Sequence, residues 1–452
     1  MTGASHSPIS RREALRLSLG VGATALVAAC SPGSTPAAPG ATSATSAAPS
    51  GAASGEKVQL VFRQFDPTNQ VQGLQKAVDD WNTRNPNVQV RMETTAVADA
   101  QNQYVREVQA GSGPDVQHLA FVWVADLGKN GLLQPLDDLL QSSPPGKGID
   151  DFIATDLAQV NGKTFGLPWT VDTNAVAYRP DLLDKAGVTF PDSWDDLLTA
   201  AQKLTAGQQS GFYFPGGSSA DASIWFYANY YLWSNGKTFV QQTADGKWDT
   251  GATPQDVAAA MTYFNTFFSS GATPKSLISV NDPGDPSIVG ALGRGDCAMV
   301  ILPPITFRTA EAQSQTALQT GVIPRGAAKR IAHLGGRMLG LNPKGKHLQQ
   351  AWEFTRFLVS PDVFFTFGHN QYPAQKALLD PAKFPKQEQG YVEMLPQAIT
   401  FGSYIASPAR VSSMWEATNR EFGAVFSGQK TPEQAGADLV AAMKALLERG
   451  QG

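Results

Sequence analysis

The sequence has little of what most chemistry needs. Its 452 residues include two cysteines and five histidines. Two cysteines exclude a disulfide-rich scaffold and a four-cysteine zinc site, and raise the question of whether they pair with each other. A basic surplus is missing as well: 35 Lys and Arg stand against 39 Asp and Glu, a formal net charge of −4. That balance argues against nucleic acid as a partner and leaves no polybasic patch for anionic lipid. No run of about 18 apolar residues occurs, so no membrane-spanning helix is expected. The histidines, His6, His118, His333, His347 and His369, form no H-E-x-x-H or other close ligand pair, which removes the usual zinc hydrolase.

Catalytic motifs are equally scarce. Gly216-Gly217-Ser218-Ser219 lacks the spacing of a nucleophile elbow. The stretch from Gly340 to His347 approaches a phosphate-binding loop. It ends in His where a hydroxyl for magnesium belongs and contains Pro343, so it reads as a strand-to-helix turn. Asp137-Asp138 and Asp150-Asp151 are sequence neighbours and read as charge at helix starts rather than as a glycosidase pair. Asn281-Asp282-Pro283-Gly284-Asp285 lacks the later Glu of a calcium loop. The chain therefore reads as a non-enzyme, with no catalytic residue, no metal site and no cofactor.

What is present divides sharply at about residue 55. None of the 42 Phe, Trp and Tyr residues precedes residue 56. Ser10-Arg11-Arg12-Glu13-Ala14-Leu15 leads into a weakly apolar stretch from Leu17 to Ala29, which suits a signal segment but is too short for a membrane span. It ends Val27-Ala28-Ala29-Cys30. The whole resembles a twin-arginine export signal running into a bacterial lipobox, with Ala14 where the twin-arginine aromatic is expected; a general secretory signal is the alternative. Cleavage before Cys30 would remove three arginines and one glutamate, a net +2, leaving −6. Lipid on the Cys30 sulfur would answer the pairing question, because Cys297 would then stand alone as a small buried hydrophobe. Residues 31–55 contain only Ser, Pro, Gly, Thr and Ala and are expected to form a disordered tether.

The remainder alternates strand and helix. Lys57 to Phe62 and Val88 to Met92 alternate with period two, Val116 to Phe121 is a third strand candidate, and helical sequence lies between them. This order predicts an α/β fold with mostly parallel sheets covered by helices. Ser193 followed by Asp195 and Asp196 predicts a capped helix with Trp194, Leu197, Leu198, Ala201 and Leu204 on its apolar face. Thr431-Pro432-Glu433-Gln434 reads as a capping box, and 254–270 and 347–359 as further helices.

A set of short segments, in order, carries a resemblance. They are Gly111-Ser112-Gly113-Pro114-Asp115-Val116, Gly131-Leu132-Leu133-Gln134-Pro135-Leu136-Asp137, Asn161-Gly162-Lys163-Thr164-Phe165-Gly166-Leu167-Pro168, Tyr178-Arg179-Pro180-Asp181, Pro191-Asp192-Ser193-Trp194, Gly295-Asp296-Cys297-Ala298-Met299 and Leu341-Asn342-Pro343. Together they resemble the extracellular solute-binding proteins of ABC importers, the family that includes maltose-binding protein, over nearly all of 57–450. The resemblance implies a two-lobed periplasmic-binding-protein fold. Each lobe would be a mostly parallel sheet flanked by helices, joined by hinge strands, and the lobes would close around a ligand. It puts lobe one at 56–173 plus 305–340 and lobe two at 174–304 plus 341–452, with hinges near Asn174–Tyr178 and Met338–Leu341.

A sugar site needs flat aromatic faces and planar polar groups. The resemblance puts Trp415 and Asp172 first, since the family carries a cleft tryptophan and a cleft acid at these places; a core tryptophan and a turn aspartate are the competing readings. Trp169 stands three residues before Asp172 and walls either the cleft or the core. Asp66 and Trp123 follow strands one and three, at the carboxyl ends where ligands of α/β sheets gather. Trp233 ends an apolar Tyr230-Tyr231-Leu232-Trp233 cluster that equally suits packing. Arg337 follows Gly335-Gly336, which permit close backbone approach. Tyr372 lies in a loop that faces the cleft in the family. Ile305 stands near a place where the maltose-binding branch carries a tryptophan, so that stacking subsite and maltodextrin as the ligand are in doubt.

The combined expectation is a lipid-anchored monomeric receptor on the extracytoplasmic face of a bacterial membrane. It would bind a di- or oligosaccharide and hand it to ABC permease subunits. A glycerol phosphate or other polar solute is the alternative ligand, and a secreted glycosidase the alternative class.

Overall fold

The computed structural model describes residues 57–66, 72–366 and 371–449. The expected export signal, Cys30 and the tether lie outside them. Among the described residues no helix is long and apolar enough to cross a membrane.

The chain opens with β1 (Val58–Gln64), α1 (Gln72–Arg84), β2 (Val88–Thr94), α2 (Val97–Gln109), β3 (Val116–Ala120) and α3 (Phe121–Lys129). β4 (Leu167–Asp172) is apolar and buried on both faces until its last residue. Two residues later β5 (Ala175–Tyr178) begins. α4 (Trp194–Leu204) starts at a capping box: the Ser193 hydroxyl accepts from the Asp196 amide and the Asp196 carboxylate accepts from the Ser193 amide. β6 (Ser210–Tyr213), α5 (Ile224–Ser234), α6 (Pro254–Ser269), β7 (Cys297–Leu302) and β8 (Gln319–Gly321) follow. Then come β9 (Gly335–Leu341), α7 (Leu348–Leu358), β10 (Tyr372–Pro373), α8 (Val411–Phe426) and α9 (Pro432–Arg449). At the start of α9, Thr431 and Gln434 exchange bonds of 3.1 and 3.2 Å, the predicted capping box.

The strands form a six-stranded sheet, β10-β4-β9-β3-β1-β2, and a four-stranded sheet, β8-β5-β7-β6. β1 is parallel to β2 and β3, and β6 to β7. In these two sheets the antiparallel pairings involve β4, β5, β8, β9 or β10, strands that adjoin a passage from one sheet to the other. A chain that leaves one lobe and returns enters its sheet in reverse, which is why these α/β sheets are mixed at one side.

Among the described residues the chain crosses between the two sheets three times. The first crossing is Thr173-Asn174, next to the expected hinge. The second lies within 322–334, between β8 and β9. It was expected near Met338–Leu341, but those residues are buried in β9, hydrogen-bonded between β3 and β4. The third lies between β10 and residues 387–391. There Thr320 Oγ1 donates to Gln387 O, the Gly390 amide donates to Thr320 Oγ1, and Tyr391 donates to Leu302 O. The expected lobe ranges change accordingly. Gln319–Gly321 pairs in the four-stranded sheet rather than with lobe one, and α7 joins the six-stranded sheet rather than lobe two. Trp352 Nε1 donates to Ser143 O at 2.9 Å, and the Phe354 ring stands edge-on to Phe62 and Trp81. The reason is that α7 continues directly from β9, a strand interior to the first sheet.

The second lobe is packed with rings: Phe214, Phe264, Phe267 and Tyr227 meet beneath its sheet. α9 lies against α6 through Gly436, where a Cβ would come within 2.6 Å of Pro254 O.

Candidate ligand-binding site

The first wall of the site is made by strand ends. β1 delivers Phe65 and Asp66, β3 leads into Trp123 in the first turn of α3, and β4 ends at Asp172. β9 runs the other way, so its first residues, Gly335 to Arg337, reach the same edge. The glycines are required there. A Cβ on Gly335 would lie 2.2 Å from Asp172 Oδ1, and one on Gly336 (φ +151°) 2.2 Å from Thr170 O. Arg337 holds its guanidinium 5.2 Å from the centre of the Phe65 ring, with Nε 3.8 Å from Asp66 Oδ1. Phe65 stacks on His118 at 4.2 Å and leans on Trp123 at 5.1 Å. Burial pushes the Asp66 carboxyl up from its ordinary value; Arg337 pulls it down and the charge of Asp172 pushes it further up.

The second wall comes from the other lobe. Phe226 on α5 meets Trp415 on α8 edge-on at 5.1 Å. Trp415 is half-buried, with one face against Trp225 at 5.9 Å and Nε1 donating to Ala222 O at 2.7 Å. His333, in the second crossing, joins the walls. Its Nε2 lies 3.9 Å from Asp172 Oδ1, its ring is 4.7 Å from Phe226, and Nδ1 is hydrogen-bonded to the Tyr230 hydroxyl. Burial pushes the imidazole down to about 4, against the pull of Asp172. Gln371 donates to Asp172 Oδ2 and accepts from Thr170 Oγ1.

Two series of neighbouring side chains therefore make up a strip, Trp123, Phe65, Arg337 and Asp66 on one side and Asp172, His333, Phe226 and Trp415 on the other, and the charge of Asp172 acts on Asp66 between them. Five of the eight expected residues lie on the strip: Trp123, Asp66, Asp172, Arg337 and Trp415. The other three do not reach the surface. Trp169 is 1 % exposed, edge-on to His118 and Phe62 in the layer behind Phe65. Trp233, 4 % exposed, packs on Phe401 and Tyr404. Tyr372 is fully buried in the edge strand β10, where its hydroxyl donates to Glu388, itself clamped by Arg308. Buried rings support the walls; they cannot present a face to a ligand.

Four residues on or behind these walls were not read from the sequence: Phe65, Phe226, His333 and Tyr230. Phe65 stood beside Asp66 and follows from the same strand-end rule. His333 stands two residues before the glycine pair, the only local signal it had. Phe226 and Tyr230 are one turn apart on a helix that is apolar all round, which conceals its exposed edge.

A two-lobed α/β fold with a threefold crossing and a ring-and-carboxylate strip spanning both lobes defines a binding protein of the periplasmic type. The chain belongs to the bacterial extracellular solute-binding proteins: the family model of that description matches residues 66–363. It is 26 % identical over 362 residues to the maltooligosaccharide ABC transporter solute-binding lipoprotein of Streptococcus pneumoniae, covering 76 % of this chain and 79 % of that one. The GacH receptor of Streptomyces glaucescens, solved unliganded and with acarbose, superposes with a TM-score of 0.68 at 21 % identity, over 87 % of this chain and 99 % of that one. The sugar-binding protein MalE of Xanthomonas citri gives 0.73 at 17 % identity, over 87 % and 98 %. These two likenesses establish the fold.

Proposed function

We propose that the protein is a receptor that binds a di- or oligosaccharide between its lobes and delivers it to an ABC importer. The observation that carries this reading is the strip from Trp123 to Trp415. Rings suited to the C–H faces of a sugar alternate there with carboxylates and a guanidinium suited to its hydroxyls. The names of the Streptococcus pneumoniae lipoprotein and of the Streptomyces and Xanthomonas proteins support a sugar as the ligand class. A glycerol phosphate is disfavoured, because Arg337, the cation of the strip, faces Asp66 and is outnumbered by Asp66 and Asp172. A binding rather than a catalytic role agrees with the family.

The same reading includes export by the twin-arginine route and a lipid on Cys30, both resting on residues 1–55. Metabolic labelling with palmitate should mark the wild-type protein and not Cys30→Ala; label on both would remove the anchor.

The ligand is tested by thermal unfolding with glucose, maltose, maltotriose and a wider set of mono-, di- and trisaccharides. At least one should raise the melting temperature in proportion to the logarithm of its concentration, as linkage requires. Trp415→Ala and Asp172→Ala should each weaken that sugar at least about tenfold, roughly 1.4 kcal/mol. A response to glycerol phosphates alone, or wild-type affinity in both variants, would overturn the assignment.

A further inference from the structure

One pair in the site has geometry suited to a third atom. His333 Nε2 and Asp172 Oδ1 are 3.9 Å apart, too far for a hydrogen bond between them. An oxygen about 2.8 Å from each would see them at roughly a right angle, an arrangement a hydroxyl accommodates with one acceptance and one donation. We propose that His333 and Asp172 together read a single ligand hydroxyl, the His333 Nε2–H donating to its oxygen and the Asp172 carboxylate accepting its proton. This rests on the sugar-binding reading above and adds to it a residue that sets specificity.

Each half of the pair is prepared for that role by its neighbours. Tyr230 is buried, which pushes its hydroxyl well above its ordinary value, and that hydroxyl is hydrogen-bonded to His333 Nδ1; in the proposed arrangement it is the donor of that bond. A neutral imidazole that accepts at Nδ1 carries its own proton on Nε2, on the side of Asp172. Asp172 Oδ2 is occupied by the Gln371 amide, which leaves Oδ1 for the ligand. Gly335 keeps the space between the two atoms open: a Cβ there would lie 2.2 Å from Asp172 Oδ1 and 3.4 Å from His333 Nε2. Thr173 Oγ1 donates to His333 O at 2.7 Å, which ties the two crossings together, so the pair sits on the joint between the lobes. The Phe226 ring beside His333 would cover the apolar face of the same sugar unit.

Such a pair accepts a group that both donates and accepts. It rejects a deoxy position, which does neither, and a methyl ether, which cannot donate. The test uses the tightest binder of the saccharide panel, its monodeoxy and mono-O-methyl derivatives, and calorimetric titration. His333→Leu should weaken the parent sugar at least about tenfold, and His333→Gln, which keeps an N–H, by about threefold or less. With the derivative lacking the read hydroxyl, wild type and His333→Leu should bind alike. Because His333→Leu could alter folding, the wild-type protein and Asp172→Asn are titrated with the same derivatives; a single position should account for most of the loss in both. Binding of the parent sugar by His333→Leu within twofold of wild type, or an equal loss with every derivative, overturns the pair while leaving the sugar reading intact. If no saccharide binds the wild-type protein, the sugar reading fails and the pair falls with it.

Discussion

At the scale of single residues, burial holds Asp66 and His333 away from their ordinary titration, in opposite directions. Asp66 is raised by burial, so the folded protein holds a proton there more tightly than the unfolded chain does. It therefore loses stability as pH rises from the ordinary carboxylate value through the raised one. Asp66→Asn cannot acquire that charge. It is expected to raise the urea midpoint at pH 7 while weakening the sugar, the trade between stability and function that binding sites show; a lower midpoint would show that the pairing with Arg337 outweighs the burial. His333 has the opposite sign. Its folded value is about 4 against 6.5 for the free group. The unfolded chain takes up a proton below 6.5 that the folded one refuses, so stability present above pH 6.5 is lost as pH falls toward 4. The full shift is worth on the order of 3 kcal/mol. Urea unfolding at pH 7.5 and 4.5 should show a steeper loss for wild type than for His333→Gln, and parallel losses would mean His333 does not titrate in this way.

Which aromatic residues reach the site was only partly legible. By sequence Trp169 walls either the cleft or the core; it sits in Leu167–Val171, a run buried on both faces of its strand, which places it in the core. Trp415 sits among Ser412, Ser413 and Glu416, and its polar surroundings did indicate an edge. Trp233 had no such distinguishing neighbours. A lone histidine such as His333 carries no pattern beyond its place before the glycine pair; its proposed role depends on Asp172 and Tyr230, which are remote in sequence and meet it only through the crossings.

At the scale of elements, local chemistry was the readable part. The helices after Ser193 and Thr431 begin where their capping residues stand, because a cap and its return bond lie within four residues. The crossings were not readable in the same way. The resemblance puts a hinge near Met338–Leu341, whereas the passage itself lies upstream in 322–334; Gly335-Gly336 do serve the close backbone approach expected of them, here of β9 to β4. Close approach also governs α9. The atoms nearest a Cβ on Gly436 are Pro254 O at 2.6 Å and Ala258 N at 3.0 Å, both backbone and unable to swing aside. Gly436→Val is expected to cost about 1–3 kcal/mol in denaturant unfolding without altering sugar affinity beyond the effect of stability. An unchanged midpoint would mean the two helices can part.

At the scale of the whole molecule, the lobes are joined by more than three stretches of backbone. Tyr372, in the edge strand of the six-stranded sheet, donates to Glu388 beyond the third crossing, and Glu388 is held by Arg308 in the helix that follows β7. A buried carboxylate that loses a donor keeps its desolvation cost. Tyr372→Phe should lower stability by about 1–3 kcal/mol and leave sugar affinity within threefold of wild type; a large loss of affinity would return Tyr372 to the binding site.

Cys297 lies at the centre of the second lobe's sheet, fully buried, its Sγ 3.1 Å from Met299 O and its thiol pushed up by burial. Its inertness has a practical consequence. No other cysteine occurs between residues 57 and 449, so the folded body offers thiol reagents nothing to attack until that sheet opens. A cysteine placed at Val122, 49 % exposed and next to Trp123, would then be the one reactive position, and a fluorophore attached there would turn the receptor into an optical sensor for its own ligand.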